Sequence, residues 1–243
     1  MKIDVITLHA VQNYGSVLQA LATQEILKAH GCEVTIIDYI REDVRYENLV
    51  KKWSEGNPIK ALAILPTLFR WKKVFQTFTK RYLNLSQRTY TTEEDFKTYP
   101  LTADAYCTGS DQVWNSKWNK GILPCLYLDF VPADKYKFAF AASFGQERLS
   151  EDEVNRTKAY LEQYNRISVR ERDAKAIIED QYHIENCVHL VDPTLYVPGE
   201  FWRKYETKRR IKSDYILVYN LNRSREFDQY AVELARRTGL KLV

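Results

Sequence analysis

The chain has 243 residues, 45% of them hydrophobic and 28% charged, enough to fill a large core and too apolar for a disordered polypeptide. Its 36 basic and 32 acidic residues leave a net charge of +4, far from the footprint of a nucleic-acid binder. Cysteines stand singly at 32, 107, 125 and 187, so free thiols are expected, and a zinc site is not.

Residues 3–8 (IDVITL) are apolar and β-branched, which predicts a buried first strand. Asn13-Tyr14-Gly15-Ser16 is a turn cluster, and Val17, Leu18, Leu21, Ala22, Ile26 and Leu27 then recur at helical spacing up to Gly31. Residues 33–39 (EVTIIDY) read as a second strand, closing a β-α-β unit with parallel strands. Trp53 to Pro58 reads as a loop. Ile59 to Leu83 reads as one or two helices with a break at Pro66. No acid occurs from Asn57 to Thr92, whereas seven basic residues do. An amphipathic helix packed on the sheet explains that stretch, with its aromatic stripe in the core; the other reading lays it on an anionic membrane.

Alternation resumes at residues 103–108, a strand entering Gly109-Ser110-Asp111, and at 137–142, a strand entering Ser143-Phe144-Gly145. Ser150 and Glu153 form a capping box for a helix ending near Tyr164. A short strand at 167–169, a helix at 173–181 and a strand at 187–191 follow. The stretch from 198 to 212 reads as a link. A new strand at 214–221, a helix at 224–237 and a strand from 240 then open a second unit. The fold class is therefore α/β, with a doubly wound, Rossmann-like parallel sheet. A first lobe is expected over 1–206 and the start of a second over 207–243, which makes the chain a truncated form. Met1 leads directly into a strand without a signal-peptide pattern, so a cytoplasmic location is expected, with peripheral contact to the inner membrane face compatible.

In such sheets ligands sit outside the carboxyl ends of the strands. That rule selects the loops at Asn13–Ser16, Gly109–Asn115, Ser143–Gly145, Arg170–Arg172 and Asp192–Thr194. The Asn13, Tyr14, Gly15, Ser16 turn opens a helix, where free N–H groups favour an anion. Gly109, Ser110, Asp111, Gln112, Trp114 and Asn115 crowd polar groups after a buried strand; Asp111 suits a sugar hydroxyl and Trp114 a sugar ring. The competing account makes Asp111 a helix cap and Trp114 core. Arg170 either holds a carboxylate or phosphate through its fork or pairs with Glu171. His9 closes the first strand, and a structural role is expected for it.

In this order, Asn13-Tyr14-Gly15-Ser16 with Leu18-Gln19-Ala20, Gly109 to Asn115, Ala142-Ser143-Phe144-Gly145, Ser168-Val169-Arg170-Glu171 and Asp192-Pro193-Thr194 resemble the motif string of the polysaccharide pyruvyl transferase family. The resemblance spans about residues 3 to 240. It implies a two-lobed fold like that of GT-B glycosyltransferases, with the second lobe here only begun. It implies transfer of a pyruvyl group from phosphoenolpyruvate to a saccharide or lipid-linked saccharide of a bacterial surface polysaccharide, usually as a cyclic ketal. Phosphoenolpyruvate is then a donor substrate, and neither a cofactor nor a metal is required. On this resemblance Arg170 holds the donor anion and Asp111 is a base or sugar contact. Gly15 and the Ser143, Phe144, Gly145 turn give backbone support, and Glu171 lines the substrate. The family's general-acid histidine belongs to the second lobe, and residues 213–243 contain no histidine. Two other readings stand beside this one: a nucleotide-sugar glycosyltransferase of GT-B type, and a non-catalytic lobe binding a saccharide or a partner, including a second copy of the chain.

Overall fold

A computed structural model provides the fold and describes residues 1–220 and 224–243. It contains two compact units, Met1–Pro198 and Gly199–Val243.

The first unit opens with β1 (Lys2–Ile6), α1 (Tyr14–Ala29) and β2 (Glu33–Tyr39). α1 begins where Asn13 accepts a hydrogen bond from the Ser16 N–H, and it ends at His30 before Gly31 turns left-handed at φ 79°. α2 (Tyr46–Ser54) and α3 (Pro58–Tyr82) form the next segment, so Trp53 lies in a helix rather than a loop. α3 passes through Pro66 without the expected break. Pro66 and Leu62 face solvent, so the Leu62 carbonyl that loses its helical donor is open to water, while Leu68, Phe75 and Thr79 anchor the opposite face.

β3 (Leu85–Tyr90) and α4 (Glu93–Thr98) were not legible in the sequence. β3 is an edge strand, largely exposed, and lacks hydrophobic alternation. Side chains hold it instead: Asn84 Nδ2 donates to the Val34 carbonyl at 2.7 Å, and the Asp38 N–H donates to Ser86 Oγ at 2.9 Å. α4 starts with a reciprocal capping box between Thr92 and Asp95.

β4 (Ala105–Thr108), α5 (Ser116–Asn119), β5 (Tyr136–Ala142), α6 (Glu151–Leu161) and β6 (Arg166–Val169) continue the alternation. At α6, Ser150 accepts from the Glu153 N–H, but the Glu153 side chain does not return the bond, and the helix ends at Leu161 rather than near Tyr164. α7 (Arg172–Ala176) runs into a π turn, Ile177–Gln181. β7 (Val188–His189) is only two residues long, shorter than its apolar run suggests. α8 (Pro193–Tyr196) follows Asp192.

The seven strands form one all-parallel sheet in the order β3-β2-β1-β4-β5-β6-β7. β1 and β4 are buried almost throughout, as strands covered on both faces must be. The order reverses between β1 and β4, which makes the gap between their carboxyl ends the topological switch point.

The second unit holds α9 (Gly199–Arg203), β8 (Tyr215–Ile216), α10 (Arg225–Thr238) and β9 (Lys241–Leu242). β8 and β9 pair in parallel, and Gly239 ends α10 in the left-handed region. The expected strand 214–221 extends to Leu221, which lies outside the described residues.

Candidate active site at the switch point

All five strand-end loops converge through one guanidinium. Arg170 follows β6, and its Nε donates to Glu171 Oε1 at 2.8 Å. One terminal nitrogen donates to Asp192 Oδ2 at 2.9 Å, and the other lies 3.5 Å from Asp111 Oδ1. Burial alone would lower the Arg170 pKa, but the Glu171 hydrogen bond and the three carboxylates outweigh it and push it up. Ser143 Oγ donates to Glu171 Oε1 at 2.9 Å, and Ser110 Oγ reaches Asp192 at 3.4 Å. Asp192 also accepts from Thr194 N at 2.9 Å and Thr194 Oγ1 at 2.7 Å. His189 Nε2 lies 3.1 Å from the Arg170 carbonyl, because the β6–β7 register sets His189 opposite Val169.

Arg170, expected to hold the donor anion, is engaged here by three carboxylates. Its fork already faces carboxylates on every side, and one guanidinium among three carboxylates leaves the cluster with about two negative charges. Sugar hydroxyls, which donate to carboxylates, match it.

Asp111 sits at the centre of the cluster. Its backbone is left-handed at φ 83°, a conformation costing a non-glycine residue roughly 1 kcal/mol or more. Ser16 Oγ donates to Asp111 Oδ2 at 2.5 Å, and the Gln112 N–H donates to Oδ1 at 2.8 Å. Behind Ser16, Gln19 Nε2 donates to the Ser16 carbonyl at 2.9 Å and to Thr7 Oγ1 at 2.8 Å, while Thr7 Oγ1 donates to the Ser110 carbonyl at 2.8 Å. These buried bonds tie the β1 and β4 loops together.

The remaining expected site residues divide by burial. Tyr14, Gly15 and Gly145 are exposed, and Asn13, Gln112 and Glu171 are partly so. Gly109, Ser110, Trp114, Asn115, Ser143 and Phe144 are buried. Trp114 is only 1% exposed, so the expectation that it stacks on a sugar ring is corrected. Its Nε1 donates to the Leu126 carbonyl at 3.1 Å, and its ring meets Tyr127, Phe144 and Tyr164. Trp114 and Phe144 thus form the core under the loops. Asn115 caps α5 through the Trp118 N–H and donates to Gln112 Oε1 at 2.9 Å, a supporting role. A Cβ on Gly109 would lie 3.0 Å from the Thr7 Cβ, so Gly109 lets β1 and β4 approach and is not a ligand contact.

A cavity of about 340 Å³ is lined by His9, Ala10 and Gln12 after β1 and by residues of β2, β3, α2 and α3. Arg45, Tyr46, Trp71, Lys72 and Lys80 are among its walls. Arg45 donates to the Thr91 carbonyl at 3.2 Å, and its buried Nε has no partner among the described residues. Lys72 lies over the Tyr46 ring, 4.8 Å from its centroid. His9 Nε2 and Asp38 Oδ1 are 3.0 Å apart at the wall, and His9 Nδ1 is 3.3 Å from the Thr7 carbonyl. Burial raises the Asp38 pKa, but hydrogen bonds from His9 and Thr89 more than reverse this and hold it below the ordinary value. With both ring nitrogens engaged and 1% exposure, His9 is a structural residue, as expected. This cavity was missed in the sequence because its walls come from α2 and α3; the only local signals were His9 and Asp38 near the ends of adjacent strands.

Among the comparisons with known proteins, neither a curated protein nor a solved structure matches the chain. A family model described as polysaccharide pyruvyl transferase matches residues 13–243, nearly the whole chain and every loop of the cluster. The chain belongs to the polysaccharide pyruvyl transferase family.

Proposed function

We propose that this protein serves the transfer of a pyruvyl group from phosphoenolpyruvate to two hydroxyls of a saccharide, free or lipid-linked, in the making of a bacterial surface polysaccharide. The observation that carries the reading is the carboxylate cluster around Arg170 at the switch point, in a chain of this family.

The chemistry needs a proton delivered to the terminal enol carbon, leaving a cation-like centre at C2. One sugar hydroxyl adds to that centre and gives up its proton, and phosphate departs. A second hydroxyl then closes the ketal, so that donor and diol become ketal and phosphate. Asp111, held by Ser16 and the Gln112 N–H, is the base for the attacking hydroxyl. Glu171 and Asp192, both partly exposed, accept from neighbouring sugar hydroxyls. Arg170 is a positioning residue that keeps the carboxylates apart and oriented. We assign the donor's anionic groups to the cavity walled by α2 and α3, where Arg45, Lys72 and Lys80 supply cations.

The test is phosphate release from phosphoenolpyruvate with a panel of bacterial saccharides and lipid-linked acceptors. Acceptor-dependent release is expected. Asp111→Asn should lower kcat by about 10²-fold or more with little change in KM for the donor. Lys72→Ala should instead raise that KM about tenfold. Nucleotide-sugar turnover without phosphoenolpyruvate binding would replace this reading with a GT-B glycosyltransferase. Saccharide binding without any turnover would replace it with a binding lobe.

A further inference from the structure

α3 carries an outer face that the fold does not use. Spacings of three and four residues put Ile59, Leu62, Pro66, Phe69 and Lys73 on one stripe, opposite the buried Leu68, Phe75 and Thr79. Ile59 is 78% exposed, Leu62 72% and Phe69 65%. The aromatic stripe was expected in the core; only Phe75 of α3's aromatic residues is buried, because α3 packs chiefly on α2 and α1.

Charge selects what the outer face meets. No acid occurs from Asn57 to Thr92. Arg70 and Lys73, next along the helix from Phe69, are exposed and make no ion pair among the described residues. Lys60 is paired with Glu55 at 2.8 Å and is not counted. On the cavity side of α3, away from the stripe, Trp71 meets Trp53 of α2 edge to face at 6.1 Å. Exposed apolar side chains flanked by unpaired cations on one helix face are the combination that settles into the headgroup region of a membrane. No helix among the described residues is long and apolar enough to cross one.

We propose that the outer face of α3 docks the protein on an anionic lipid surface. Ile59, Leu62 and Phe69 enter the acyl boundary, and Arg70 and Lys73 meet the headgroups. The inner face of α3 walls the cavity that His9 and Asp38 also line, so docking would bring that cavity close to the lipid surface. The proposal is independent of the transfer reaction, since its test needs no substrate.

The test is co-sedimentation of the full chain with vesicles of phosphatidylcholine, with and without phosphatidylglycerol. Binding is expected to be at least about tenfold tighter with the anionic lipid and to weaken with salt. Leu62→Ser/Phe69→Ser and Arg70→Glu/Lys73→Glu should each abolish binding while leaving the circular dichroism unchanged, because all four residues are exposed. Equal binding to neutral and anionic vesicles, or no binding to either, overturns the proposal. So does light scattering that finds a dimer split by the same substitutions, which would make this face an interface between copies.

Discussion

Ser16 and Asp111 are 95 residues apart in the chain, and Ser16 Oγ donates a 2.5 Å hydrogen bond to Asp111 Oδ2. Their strands, β1 and β4, are neighbours where the sheet order reverses. The bond therefore spans the crevice in which doubly wound sheets take their ligands. It also helps hold Asp111 in a left-handed backbone that few aspartates adopt.

Removing that bond should affect chemistry more than folding. Ser16→Ala is expected to lower kcat about tenfold while lowering stability by only about 1 kcal/mol, the usual net worth of one hydrogen bond. Steady-state kinetics beside a thermal melt would check this. An unchanged kcat would remove Ser16 from the positioning of Asp111.

Arg170 should behave as an electrostatic keystone. Arg170→Met leaves Asp111, Glu171 and Asp192 without their shared cation, and a loss of about 2–4 kcal/mol is expected in urea unfolding. Arg170→Lys keeps the charge but cannot reach three carboxylates with one ammonium, so less than half of the loss should be recovered. Equal stability of the methionine variant and the native chain would contradict the keystone role.

Gly145 tests the backbone of the third loop. It has φ 58°, and a Cβ would lie 2.6 Å from both the Asn115 Nδ2 and the Gln112 Cδ. Gly145→Ala is expected to cost about 1–3 kcal/mol and to disturb the Gln112–Asn115 hydrogen bond, with a raised KM for the acceptor. The readouts are the unfolding midpoint and acceptor saturation.

Asp4 predicts a pH dependence. It is buried in β1 with Oδ1 unpartnered among the described residues, and burial raises its pKa to about 6, partly countered by Lys2. Between the ordinary carboxyl value and pH 6 the folded protein holds a proton that the unfolded chain has lost. Stability from this group therefore falls as pH rises through that window, by on the order of 2–3 kcal/mol, and is level above it. Asp4→Asn should remove the slope and be more stable than the native chain at pH 7. Parallel slopes for the two proteins between pH 4 and 7 would refute this.

Much of the first unit was legible because its central strands carry their own signal. β2 coincides with the run EVTIIDY, and α1 with an apolar repeat bounded by Asn13 and Gly31. β3 was silent because an edge strand held by Asn84 and Ser86 needs no hydrophobic pattern. α3 was misjudged for the opposite reason. Its aromatic residues fit a buried face in the sequence, but burial depends on the area a neighbour offers, which periodicity does not report. Trp114 was misjudged in the same way, since a tryptophan among polar residues reads as a ligand contact until its core partners Tyr127, Phe144 and Tyr164 are brought in.

The sequence by itself determined the α/β alternation, the loops at the strand ends and the ordered motifs that mark the family, because these rest on local periodicity, turn chemistry and order along the chain. Only the tertiary structure decided what those loops do to one another. Parallel strands from distant parts of the chain set Asp111, Glu171 and Asp192 around Arg170, three carboxylates to one guanidinium. The charge of a site belongs to its assembled groups, and the partners of Arg170 at Asp111 and Asp192 are not visible in its own motif.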